Sequence, residues 1–314
     1  MSSNSGYFSD LEGYCDDRLT SAARVCSRET AMPFDLSQIG AKSKSYTHHY
    51  DWRGQATYAL GIGAKRDELS YLYENAAGGM KVFPSYAVIP AFEPVLEMMS
   101  RAKANFAMVV HGAQKIRLHR PLPIEATLET VATLRGIYDL KKLSSLVIDT
   151  ETTLNGEAIF STEWGILVRG EGNFGGERPP KDDEGHSMPL KTEPDWEFEE
   201  ATSPEQALLY RISGDTNPLH ADPEFAATVG FAQGPILHGL CTYGFVARAA
   251  IKHVARGDAT KLVAFGAQFR NPVWPGDTIV TRGYHLGGGK LALQAFAKGR
   301  PDPVVTSAWA TFSE

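Results

Sequence analysis

The strongest constraint on what this chain can fold into is a repeat inside it: Gly112-Ala113-Gln114 recurs as Gly266-Ala267-Gln268. The matches continue at a nearly constant offset, Arg117 with Arg270, Pro123 with Pro275 and Leu128 with Ile279. An apolar helical stretch precedes each copy, and extended segments broken by turn residues follow it. A chain with this order folds as two copies of one α+β module. Its 314 residues exceed one typical domain and suit two of similar size.

In the first copy the helix is expected over 86–101, with a late or kinked start because Pro90 and Pro94 interrupt it. Met98 and Met99 read as core filling. In the second copy it is expected over 236–253, where Leu240, Tyr243, Val246, Ala247 and Ala250 recur at helical spacing. Strands are expected over 115–118, 124–137, 143–154 and 158–168, and again over 268–270, 278–286, 290–298 and 304–312. Pro275-Gly276-Asp277 and Gly287-Gly288-Gly289 suit the turns of antiparallel hairpins. The triple glycine lacks the strand-to-helix setting of a phosphate loop. A long antiparallel sheet wrapped on one central helix is the hot-dog arrangement, expected here twice. Residues 1–34 show no sustained apolar period and read as an extension, and 35–171 form the first module. The stretch 172–200, rich in Gly, Pro and acids, reads as a linker before a second module over 201–314.

Composition removes several classes of function. A net charge of −6 gives no global basic field for nucleic acid, and no polybasic run suits a membrane surface. No run of about 18 apolar residues exists, and the polar, acidic start is unlike a secretion signal. Cys15, Cys26 and Cys241 form an odd, scattered set without zinc spacing, which points to a reducing intracellular compartment. The last residues, Thr311 to Glu314, do not form a Ser-Lys-Leu peroxisomal address.

The densest chemical signal is YRISGDTNPLH over 210–220. Gly214 permits a sharp turn and Pro218 stiffens the loop, so Asp215, Asn217 and His220 present a carboxylate, an amide and an imidazole close together. Such a set can share one water, with Asp215 and His220 as an acid–base pair. Each residue also has a structural reading: Asp215 as a helix cap, Asn217 as a turn residue, His220 as a core histidine. Metal ligation by Asp215, His220 and His238 matches no common spacing, and no metal is expected. Gly239 lies near the N-terminus of the second helix, where unpaired backbone N–H groups sit at the positive end of the dipole and suit a developing oxyanion. Close helix–sheet packing is the alternative role for Gly239, and His238 reads as structural.

The stretch 210–245 resembles the hydratase 2 motif of the MaoC-like family, in which GDxNPxH is followed by a PILHGLC-like segment. Earlier stretches, YALGIGA over 58–64, YLYE over 71–74, FPSY over 83–86 and Val110-His111-Gly112, are similar to the first half of eukaryotic-type (R)-specific enoyl-CoA hydratase 2. The same enzyme occurs as a domain of peroxisomal multifunctional protein 2. The resemblance covers about 34–312 and implies a double hot-dog fold with its active site in the second half. The first half, which has no GDxNPxH before Tyr86, would make room for a bulky acyl tail.

Carried over by position, Asp215 and His220 are the catalytic pair, Asn217 helps hold the water and Gly239 supplies the oxyanion N–H. Thr216, Pro218 and Leu219 of the motif, with His111, Gly112, Lys141 and Phe269, are similar to positions that line the CoA and acyl channel. The implied reaction is hydration of trans-2-enoyl-CoA to (3R)-3-hydroxyacyl-CoA in fatty acid β-oxidation, with CoA as part of the substrate and no separate cofactor. A homodimer is expected, in the peroxisome by resemblance or otherwise in the cytoplasm. The alternatives are a dehydratase acting on acyl-carrier-protein thioesters or another acyl-CoA, a thioesterase on the same fold, and a non-enzymatic acyl-CoA binder.

Overall fold

The computed structural model describes residues 33–181, 185–189 and 193–313. The extension read over 1–34, with Cys15 and Cys26, falls almost entirely outside them. The first half runs β1 (Tyr46–Tyr50), α1 (Trp52–Gly61), α2 (Val88–Arg101), β2 (Val109–Leu118), β3 (Ala126–Asp139), β4 (Leu143–Leu154) and β5 (Glu157–Arg169). The second half repeats the order as β6 (Trp196–Ala201), α3 (Gln206–Tyr210), α4 (Pro223–Thr228), α5 (Gly239–Val254), β7 (Leu262–Phe269), β8 (Thr278–Gly287), β9 (Lys290–Ala297) and β10 (Pro303–Phe312).

The described strands form one ten-stranded sheet in the order β1-β3-β4-β5-β2-β7-β10-β9-β8-β6. Read from either end, the order is the same once each strand is exchanged for its repeat. The repeated tripeptides meet at the centre: Ala113 pairs with Gln268, Gln114 with Ala267 and Lys115 with Gly266, antiparallel. The repeat is therefore the seam of a pseudo-twofold, and each half wraps its share of the sheet on one helix. This is the double hot-dog fold.

Local chemistry explains where the elements start. Pro84 opens a 3-10 turn, Pro84–Ala87, so α2 begins at Val88, with Pro90 in its first turn where a missing N–H costs little. Helix α5 begins at Gly239, with His238 as its N-cap, because Ile236 and Leu237 before the cap are committed elsewhere: Leu237 N–H donates to Val273 O at 2.7 Å, and the Ile236 carbonyl accepts from His220. Strands β2 and β7 start earlier than expected, and β1 and β6 were not expected at all. All of strand β6 but Ala201 lies inside the stretch read as a linker. Two of its three acids face outward on the sheet edge, where Glu197 pairs with Arg282 at 2.7 Å and Glu199 with Lys298 at 2.6 Å, while Glu200 is buried.

The halves are locked by α5. Gly244 lets the helix approach Ile62, since a Cβ there would lie 2.3 Å from the isoleucine side chain. One turn on, buried Arg248 donates to Glu68 at 3.0 Å, to the Ile62 carbonyl at 3.0 Å and to Glu200 at 2.6 Å. No helix among the described residues is long and apolar enough to cross a membrane.

Candidate active site

The loop between α3 and α4 is built by short-range hydrogen bonds. Gly214 takes φ +148°, a left-handed conformation open to glycine, and turns the chain out of α3. Asp215 then accepts the Asn217 N–H at 3.1 Å, and Asn217 accepts the Leu219 N–H at 3.0 Å. Asn217 thereby caps a 3-10 turn, Pro218–His220, with the proline in the position that needs no N–H. The turn roles of Asp215 and Asn217 are real, and they are what aim the loop.

The turn delivers His220 into the protein, where it is buried. Its Nδ1 lies 2.8 Å from the Ile236 carbonyl, which can only accept, so Nδ1 carries the proton and Nε2 is left as the base. Burial holds the His220 pKa below 6.5, against the opposing pull of the Asp215 carboxylate. The ring is therefore neutral at neutral pH and able to accept. Behind it, the His238 ring stacks at 3.7 Å between centroids and 28°. Candidate ligand atoms of Asp215, His220 and His238 all fall within 4.8 Å of one another. Each imidazole, however, already has one nitrogen tied to a backbone carbonyl.

Gly239 is the first residue of α5. Cys241 and Thr242 N–H both donate to the His238 carbonyl at 3.1 Å, which leaves the Gly239 and Leu240 N–H groups without intrahelical acceptors at the positive end of the dipole. A Cβ on Gly239 would sit 3.6 Å from Phe269, an ordinary contact, so close packing alone does not require glycine here.

Asp215, Asn217, His220 and Gly239 line one cavity of about 770 Å³, together with His111, Gly112, Thr216, Pro218, Leu219 and Phe269. Lys141 does not join them. It takes φ +69° in the β3–β4 hairpin, its N–H held by Asp139 at 2.8 Å, and it is Lys142 that borders the cavity. Gly112 has a steric role as well, because a Cβ would come within 2.6 Å of Leu167.

The apolar wall was not foreseen as part of the site. Phe92, Val95, Leu96 and Met99 of α2 face Trp164 and Ile166 of β5 across the cavity's first-half end. A row of rings leads there from Gly239. Phe269 meets His111 edge-on at 5.1 Å, His111 stacks on Trp164 at 4.9 Å and 6°, and Phe92 lies 6.2 Å from Trp164. Burial pushes the His111 pKa down to about 4, so this ring is a neutral wall. The arrangement offers a base, a carboxylate and an oxyanion donor at one end of an apolar chamber. Cys241 is buried against the Gly61 carbonyl and is not among the cavity's lining residues.

Comparison with known proteins gives two family matches, the MaoC like domain over 186–299 and the MFE-2 hydratase 2 N-terminal domain over 48–170. The chain is 36% identical over 274 residues to "Enoyl-CoA hydratase 2, peroxisomal" of Arabidopsis thaliana, covering 82% of this chain and 88% of that one. It is 33% identical over 307 residues to "Peroxisomal multifunctional enzyme type 2" of Mus musculus, which covers 96% of this chain. The chain spans 41% of the length of that mouse protein. Among solved structures, a MaoC-like dehydratase from Phytophthora capsici superposes with a TM-score of 0.81 at 32% identity, covering 89% of this chain and 98% of the other.

Proposed function

The chain belongs to the MaoC-like hydratase 2 family, and we propose that it hydrates trans-2-enoyl-CoA to (3R)-3-hydroxyacyl-CoA, reversibly, in fatty acid β-oxidation. The observation that carries this reading is the meeting of Asp215, His220 and the Gly239 N–H at one end of an apolar chamber.

The thioester carbonyl accepts from the Gly239 N–H, and the acyl chain runs along Phe269, His111 and Trp164 into the first half. Neutral His220 Nε2 and the Asp215 carboxylate accept from one water. As its oxygen bonds to C3, electron density moves through the double bond onto the thioester oxygen, where the Gly239 dipole stabilises it. The proton lost by the water is returned to C2 from the same pair, so H and OH are added and the enzyme ends as it began. The (3R) configuration comes from the family resemblance. Neither metal nor redox cofactor enters this scheme. The peroxisomal names of the mouse and Arabidopsis relatives support a peroxisomal setting, and the homodimer rests on the resemblance. A non-enzymatic binder would have no use for an acid–base pair beside an oxyanion donor.

The test is turnover of crotonyl-CoA and trans-2-decenoyl-CoA by purified protein in a chelating buffer, followed by loss of the conjugated thioester absorbance and chiral analysis of the product. Conversion to the (3R) alcohol is expected. Folded protein that leaves both esters untouched overturns the reading.

A further inference from the structure

His238 was read from the sequence as structural, yet it touches all three working parts of the site. Its Nε2 lies 3.1 Å from the Asp215 carbonyl, so Nε2–H holds the backbone of the carboxylate residue. Its ring stacks on His220 at 3.7 Å. Its own carbonyl takes the Cys241 and Thr242 N–H groups as the N-cap of α5, which fixes the direction of the neighbouring Gly239 N–H. The ring is 1% exposed, and its Nδ1 is buried without a protein hydrogen-bond partner among the described residues. Tyr210 flanks it at 4.9 Å. A residue needed only to fill this space would be apolar, since an unpaired buried nitrogen is unfavourable. The polar ring is retained where its one donated hydrogen bond ties the 214–220 loop to the start of α5.

We infer that His238 is a positioning residue that sets the register between the Asp215–His220 pair and the Gly239 oxyanion donor. The loop and the helix are separate segments, and catalysis requires them aligned to a fraction of an ångström. Two hydrogen bonds bridge them here, His220 to Ile236 and His238 to Asp215. The second can be removed with both reacting side chains retained, and phenylalanine removes it while keeping a ring against His220. The inference rests on the hydratase reading.

Three variants separate position from packing. A glutamine amide reaches about as far as Nε2 and can still donate to the Asp215 carbonyl; an asparagine amide falls short, and phenylalanine keeps the stacking ring but has no donor. Each is assayed for kcat and KM with crotonyl-CoA, with a thermal melt to establish the folded fraction. For His238→Phe and His238→Asn, kcat is expected to fall by about 10²-fold, the scale of an ångström misplacement, with KM little changed. His238→Gln is expected to recover most of kcat. Should the phenylalanine variant not fold, the glutamine–asparagine pair decides, since these differ only in reach.

Wild-type kcat in the phenylalanine or asparagine variant overturns the inference. So does a glutamine variant as slow as asparagine with its fold intact, or loss of folding in all three. Absence of wild-type turnover strikes the hydratase reading itself, whereas an active wild type indifferent to position 238 strikes this inference alone.

Discussion

The two halves share one strand order and differ in how they use the central helix. Helix α5 is buried on every side from Leu240 to Ile251 and packs solidly between its sheet and the first half. Helix α2 buries one stripe, Val88, Ala91, Val95, Met98 and Met99, and part of that stripe faces the cavity instead of a closed core. The starts of the helices differ as well. At α2 the preceding 3-10 turn runs straight into the helix and the Val88 N–H is taken by the Ser85 carbonyl, whereas at α5 the Gly239 N–H has no such acceptor. Where the second half has its Asp215–His220 loop, the first has a segment holding Glu68, which is spent on Arg248. One half carries the donors and the other carries the space.

The largest effect that tests this division is loss of the pair. Asp215→Asn and His220→Ala should each lower kcat by about 10² to 10⁴, the usual range for a placed acid–base group, with melting temperature preserved. A His220→Ala enzyme at near wild-type rate would mean that the chemistry lies elsewhere. Next in size is the bond between the halves. Arg248→Met leaves buried Glu200 with only the exposed Lys65 at 3.4 Å and half-buried Glu68 without its Arg248 partner, which should cost about 3 kcal/mol in denaturant unfolding, the low end for a broken buried pair. A change near zero would show that the halves are held by apolar packing alone.

The repeat made the fold legible, because Gly112-Ala113-Gln114 and its copy pair at the seam, and a symmetric sheet needs little more. The short edge strands β1 and β6 were missed; in β6 the outward Glu197 and Glu199 suit a solvated edge and resemble linker composition. The acid–base loop was legible because its local chemistry is dense: glycine, Asx turns and proline within seven residues. The tail wall was not. Val95 and Met99 look the same in sequence whether a helix stripe seals a core or lines a chamber, and only the gap between α2 and β5 decides. Lys141 was displaced by one position because a hairpin tip reverses which neighbour faces inward.

That gap is open to a smaller perturbation. Leu96→Trp adds bulk to the α2 wall far along the ring row from Gly239, and should lower kcat/KM for trans-2-decenoyl-CoA about tenfold relative to crotonyl-CoA. A tenfold change is roughly 1.4 kcal/mol, the scale of a methylene or two in an apolar pocket. Equal loss on both substrates would mean that the first half shapes the reaction centre and not only the tail.

The finest test uses acid. Burial holds His111, His220 and His238 below their ordinary 6.5, so all three are neutral when folded and gain protons more readily when unfolded. Their contribution to stability is complete above about pH 6.5 and is lost as pH falls through the lower folded values, that of His111 near 4. The acid limb of kcat/KM should follow the Asp215–His220 pair and lie below pH 6.5, since His220 must be neutral and Asp215 ionised to accept from water. His111→Phe keeps a ring against Trp164 and removes one of the three imidazoles held neutral, so unfolding in acid should become less steep while the limb of kcat/KM stays in place. If the limb moves with His111, the first half takes part in proton transfer, and the division between chemistry and space fails at the ring that joins them.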